Sequence, residues 1–163
     1  MRVRKIHCTN SYHFFRYWLE VLCLKVSNES AGSGNVKFPN GRQHHILTSK
    51  QMDLLAVIMR NRWQLEIEGK VKDDDLLDQL ATNERGRGKI RAELGIMPQR
   101  MYELLKGIES MPERILVKVP FDNGKLDYYR INPKYMPVIA KKNEKGIITD
   151  LVIRFIDENS KVS

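Results

Sequence analysis

Residues 87–108 constrain the fold of this 163-residue chain more than any other stretch. Ile90 and Leu94 lie one helical turn apart, Gly95 follows where a sharp exit needs a residue tolerant of positive φ, and Ile96 is placed to plug the corner. Pro98 then opens a second helix at a position whose N–H has no intrahelical partner anyway. Met101, Leu104, Leu105 and Ile108 recur at three-to-four-residue spacing and define its inward stripe. Gln99, Arg100, Tyr102, Glu103 and Lys106 remain on the opposite side. The pattern predicts two helices meeting at a corner, the second with a long polar outer face.

What flanks this pair narrows the architecture. Downstream, Ile115–Pro120 and Leu126–Ile131 are β-prone runs around Asn123-Gly124, a dipeptide in which both residues accept positive φ, so a β-hairpin is expected there. Upstream, Thr48-Ser49-Lys50-Gln51 has the spacing of a capping box. Met52, Leu55, Ala56 and Met59 continue it as a helical apolar stripe. Asp73-Asp74-Asp75 reads as acid residues at a helix start, because side chains of consecutive residues do not converge on a metal. Residues 82–88 read as a polar connector into the paired helices.

The stretch from Ile90 to Leu105 resembles the helix-turn-helix of DNA-binding proteins, whose second helix enters the major groove. With the hairpin placed after it, residues 47–137 resemble a winged helix-turn-helix. One departure is Arg91, which stands four residues before Gly95 where the motif usually has a small residue. More loosely, Leu47–Ala56, the Ile90–Leu105 stretch and Tyr129-Arg-Ile-Asn-Pro133 are similar to small winged-helix proteins of bacteriophages and mobile elements. The expected fold is mainly α with a small β-hairpin (α+β). Its expected parts are an arm over residues 1–46, the winged helix over 47–137, and an extension over 138–163.

The resemblance implies binding of double-stranded DNA, in transcriptional control or in phage DNA handling. Gln99, Arg100 and Tyr102 would then contact bases: Gln suits adenine and Arg suits guanine through paired hydrogen bonds. Lys106, Arg85, Arg87, Lys89, Lys118, Lys125 and Arg130 would hold phosphates and set register. Glu103 would accept from cytosine, or repel DNA.

Charge agrees in its placement. The net charge is +8. Residues 84–106 hold six Lys and Arg against three Glu, and residues 1–47 hold seven against two, whereas residues 48–82 are net negative. Cations thus fall on the helix pair and the amino-terminal arm, as a phosphate footprint requires.

The arm pairs a basic tip with an aromatic helix over 11–26 that presents Phe14, Phe15, Trp18, Leu19, Leu22 and Cys23. That surface is too apolar for water, so core packing is expected. A Gly/Ser/Asn linker is expected over 28–35. The tail after Pro137, with Val138-Ile-Ala140 and an apolar run over 147–156, extends the sheet, pairs with a second copy, or docks on another protein.

Other classes fare worse. No Ser-His-Asp arrangement, phosphate-binding Gly loop or paired catalytic carboxylates are found, so no enzyme is expected. His7, Cys8, His44 and His45 lack zinc-ligand spacing, and no metal or other cofactor is expected. Two cysteines, Cys8 and Cys23, do not make a disulfide framework. No apolar run reaches the roughly 20 residues that span a bilayer. The expected location is the cytoplasm, or a virion for a phage protein. The rival to DNA binding is a non-enzymatic assembly protein that uses the winged helix to bind protein. Under either reading, a homodimer or larger assembly through the aromatic helix or the tail is an expected partner state.

Overall fold

Helix starts among the described residues, except the one at Pro98, fall where a side-chain oxygen can take one of the first unpaired N–H groups. In the computed structural model, which describes residues 3–5, 10–34, 47–69, 71–120, 127–142, 144 and 148–152, the Asn10 Oδ1 accepts from the His13 N–H at 2.9 Å. Helix α1 (Ser11–Gly34) begins there. Thr48 and Gln51 form a reciprocal box: the Thr48 N–H donates to Gln51 Oε1 at 2.9 Å and the Gln51 N–H to Thr48 Oγ1 at 3.2 Å. It opens α2 (Ser49–Glu68) as the spacing predicts. The Asp73 carboxylate caps α3 (Asp74–Thr82), accepting from the Asp75 N–H.

The chain divides into two compact units, Met1–Met52 with Pro137–Ser163, and Asp53–Met136. In the first, β1 (Val3–Lys5), β4 (Val138–Lys142) and β5 (Ile148–Val152) form an antiparallel sheet in the order β1-β5-β4. Val152 pairs with both Val3 and Val138. The basic tip and the tail, expected as separate parts, are strands of one sheet, and it is distinct from the hairpin. Phe14, Phe15, Trp18, Leu19, Leu22 and Cys23 are buried, as their apolar surface demands. Helix α1 runs to Gly34, through the segment expected as a linker. Once a helix is nucleated, each Ser, Asn or Gly adds only about 1 kcal/mol or less of penalty. No proline stops it before Pro39. No helix among the described residues is long and apolar enough to cross a membrane.

The second unit is mainly helical with a small two-stranded antiparallel sheet. Leu54 to Met59 of α2 are all buried, not only the predicted stripe. Helix α4 (Glu84–Leu94) starts one residue after α3 ends, so the expected connector over 82–88 is mostly helix. Asn83 alone joins them, ending α3 and capping α4 through a 2.8 Å bond from the Gly86 N–H. Gly86 makes this turn feasible: its backbone lies against the last turn of α3, where a Cβ would fall 2.4 Å from the Ala81 carbonyl oxygen.

Gly95 then takes φ 66° at the end of α4, and the Ile96 N–H reaches back to the Arg91 carbonyl at 3.2 Å. That six-to-one bond is a Schellman closure. Helix α5 (Pro98–Glu109) follows with Pro98 at its start and buries Met101, Leu104, Leu105 and Ile108. The predicted bihelical corner is present, with Ile90 fully buried on α4.

Strands β2 (Leu116–Val119) and β3 (Tyr128–Ile131) pair antiparallel, Leu116 with Ile131 through Val119 with Tyr128. Every pair is equidistant from the Asn123–Gly124 bond, the register that a two-residue turn there would impose; residues 121–126 themselves lie outside the described set.

A hairpin leaves an edge of unpaired N–H and C=O groups. Along β3, α3 supplies partners from its side chains. The Thr82 hydroxyl accepts from the Tyr129 N–H at 2.8 Å and lies 2.8 Å from the Tyr129 carbonyl and 2.7 Å from the Asp78 carbonyl, with one hydrogen to give. The Ile131 N–H faces the Asp78 carboxylate and pulls its pKa down against the effect of burial. Thr82→Val keeps the shape and removes the hydroxyl, leaving the buried Tyr129 N–H without a partner. We expect this to lower unfolding free energy by about 1–3 kcal/mol, measured by urea denaturation. An unchanged midpoint would show that the hydroxyl does not bind the strand.

Candidate functional site

The polar residues of α5 form an open face on a helix anchored from behind. Its four buried apolar residues fix its rotation, so Gln99, Arg100, Tyr102, Glu103 and Lys106 are exposed together. Tyr102 is 50% exposed, and Met97, at the N-cap, is 73% exposed. These side chains touch one another more than anything else. The Gln99 Nε2 lies 3.4 Å from Glu103 Oε1, and the Arg100 Nη1 lies 3.7 Å from Glu103 Oε2. The Lys106 Nζ sits 5.7 Å from the centre of the Tyr102 ring, within cation–π range.

Of the cations expected to hold phosphates, two on α4 are uncommitted. Arg85 and Lys89 lie one helical turn apart and exposed, and neither makes an ion pair or side-chain hydrogen bond among the described residues. Lys89 also lines a cleft of about 520 Å³ bordered by Arg60, Asn61, Gln64 and Glu93, in which Arg60 donates to both Asn61 and Glu93.

Three others, Arg87, Lys118 and Arg130, are engaged inside the unit. Arg87 donates to the Thr82 carbonyl at 2.7 Å, to the Asp127 carbonyl at 3.1 Å and to the Asp127 carboxylate at 3.1 Å, and its guanidinium lies 5.8 Å from the Tyr129 ring centre. It ties the α3–α4 junction to the start of β3. Lys118 pairs with Asp127 at 3.0 Å, and that contact raises the lysine pKa. Burial alone would push the Asp127 carboxyl up, but Lys118 and Arg87 outweigh it and hold it low. Arg130 pairs with Asp75 at 3.1 Å, and the Tyr128 hydroxyl donates to the same carboxylate. The Tyr128 bond, with help from Gln79 and Arg130, lowers the Asp75 pKa. Lys125 lies outside the described residues, as do His7, Cys8, His44 and His45.

Several residues that shape this site carry no sequence signal of their own chemistry. Arg62 reaches from α2 to α3, donating to Asp78 at 2.8 Å and to Asp74 at 3.0 Å. Asp78 and Thr82 are on the buried face of α3 with Leu77 and Ala81, whereas Leu76 and Leu80 are each 40% exposed. The helical period through Leu77 and Ala81 is the signal that could have placed Asp78 and Thr82 inward. Gly86 could have been singled out by its place three residues after Asn83, in a first helical turn.

Comparison with protein-family models, with curated proteins and with solved structures finds no match to this chain.

Proposed function

We propose that residues 47–137 form a winged helix-turn-helix that binds double-stranded DNA, with α5 as recognition helix and the β2–β3 hairpin as wing. The observation that carries this reading is the open polar face of α5 beyond the Gly95 corner. A helix whose inner stripe is buried and whose outer face is long, polar and uncovered has the form that fits a major groove about 12 Å wide. Gln99, Arg100 and Tyr102 are the base-contacting set. Lys106, Arg85 and Lys89 are the first phosphate contacts, and Lys125, which follows Gly124 in the sequence, is added to them.

Arg87, Lys118 and Arg130 take a different part in this reading. Their carboxylate partners fix the wing relative to α3 and α4, and Lys118 and Arg130, about half exposed, add to the positive field there. No group in this account performs chemistry on a substrate; the activity is binding, in regulation of transcription or handling of phage DNA.

The test is a titration of duplex DNA with the full chain at low salt. Wild type is expected to bind, and Arg100→Ala with Lys106→Ala to weaken binding by about tenfold or more, since a base or phosphate contact contributes about 1–3 kcal/mol. Both positions are exposed, so folding should not change. A second reading, a protein-interaction module in an assembly, is favoured by Leu76 and Leu80, which stand exposed one turn apart on α3. Absence of duplex binding at low salt would select it.

A further inference from the structure

Glu103 is an anion in the middle of the face proposed to meet a polyanion, and its two contacts are with the residues best suited to reading bases. We propose that Glu103 is a specificity-determining residue that suppresses binding to arbitrary DNA and is satisfied only by a cytosine amino group next to the guanine read by Arg100. The inference rests on the DNA-binding reading above.

The argument starts from the free protein. One carboxylate lies 3.4 Å from the Gln99 amide nitrogen and 3.7 Å from the Arg100 guanidinium. Arg100 and Glu103 are 52% and 53% exposed, so water screens the pair and side-chain rotation opens it at little cost. For Arg100 to place two N–H groups on the O6 and N7 of guanine, it must turn from Glu103. The carboxylate is then left in a groove lined by phosphates, and Lys106, the cation one turn further along α5, is drawn to those phosphates instead. On an arbitrary sequence this repulsion is unrelieved.

Relief requires a hydrogen-bond donor on a base edge. In the major groove only cytosine N4 and adenine N6 donate. Adenine places its N7 acceptor beside that amino group, facing any carboxylate that approaches, whereas cytosine presents its donor next to a C–H. Cytosine is therefore the preferred partner. Position follows from helix geometry: three residues of α-helix rise about 4.5 Å, close to the roughly 3.4 Å between stacked base pairs. Arg100 and Glu103 thus address neighbouring pairs, a guanine and a cytosine.

Two linked measurements test this with the full chain. Selection from a random duplex library with wild type should enrich guanine beside cytosine; with Glu103→Gln the guanine preference should remain and the cytosine preference disappear. Affinity of Glu103→Gln for a random-sequence duplex should rise about tenfold, because one repelling charge is gone. If wild type binds duplex with steep salt dependence but Glu103→Gln keeps the cytosine preference, or binds the random duplex no more tightly, this inference alone is overturned. If wild type binds no duplex at low salt, the DNA-binding reading falls and the inference with it.

Discussion

Gly86→Ala is expected to cost about 3 kcal/mol of stability, far more than the loss of a surface glycine usually would. A Cβ at this position falls 2.4 Å from the Ala81 carbonyl oxygen, and 2.7 Å from both the Ala81 carbonyl carbon and the Leu80 oxygen. All three are backbone atoms of the last turn of α3, so no side chain can rotate away. The only relief is to move α4 from α3. That would stretch the 2.8 Å bond from the Gly86 N–H to Asn83 and the 2.7 Å bond from Arg87 to the Thr82 carbonyl. Gly95→Ala is the natural comparison. There the backbone has φ 66°, but nothing lies within 4 Å of an added Cβ, so only the conformational penalty of about 1 kcal/mol applies. Urea denaturation of the two variants should show the first markedly less stable than the second. The reverse order would mean that α3 and α4 do not cross as described.

Arg62→Ala is expected to cost about 3 kcal/mol near neutral pH. Asp78 is buried, its side chain 4% exposed and that of Arg62 11%, and the guanidinium is its cationic partner across the α2–α3 contact. Removing one member of a buried pair leaves the other charge uncompensated, typically a loss of about 3–5 kcal/mol. A proton offers partial relief, and this fixes the pH signature. Burial already pushes the Asp78 carboxyl above the usual carboxylate range, against the pull of Arg62 and the Ile131 N–H. Without Arg62 it rises further. A folded-state pKa above the unfolded value favours folding at low pH, and the benefit is lost as pH rises through the folded value. The deficit of Arg62→Ala relative to wild type should therefore be greatest at neutral pH and shrink as the solution is acidified. Thermal melts across that range decide it; a deficit that grows on acidification would mean Asp78 is not the group left behind.

The two helices around Gly95 were legible in the sequence because their signals are local. Ile90, Met101, Leu104, Leu105 and Ile108 repeat at the helical period, and all are buried. The Thr48–Gln51 box and the Asp73 cap were legible for the same reason, each being settled within four residues. The strand pairing of the hairpin also follows from a local cue at Asn123-Gly124. What was not legible depends on distant partners. Asp78 and Thr82 share the helical period of the buried Leu77 and Ala81, but a reason to bury polar groups there appears only when the open edge of β3 is placed against α3. The same placement turns Leu76 and Leu80 outward. Arg87, Lys118 and Arg130 look like free cations until Asp127 and Asp75 are brought beside them, and no short-range pattern marks those partners. The pairing of β1 with β5 joins opposite ends of the chain, and no short-range pattern marks it.

The central claim is that the open face of α5, with its neighbouring cations, meets the phosphate backbone of a duplex. It is tested most directly by measuring the affinity of the intact protein for duplex DNA over a series of salt concentrations. Four cations, Arg85, Lys89, Lys106 and Lys125, are expected to neutralise phosphates and displace counterions. A plot of log K against log salt should therefore fall with a slope of about −4. A flat line, or no measurable binding at the lowest salt, would contradict the account.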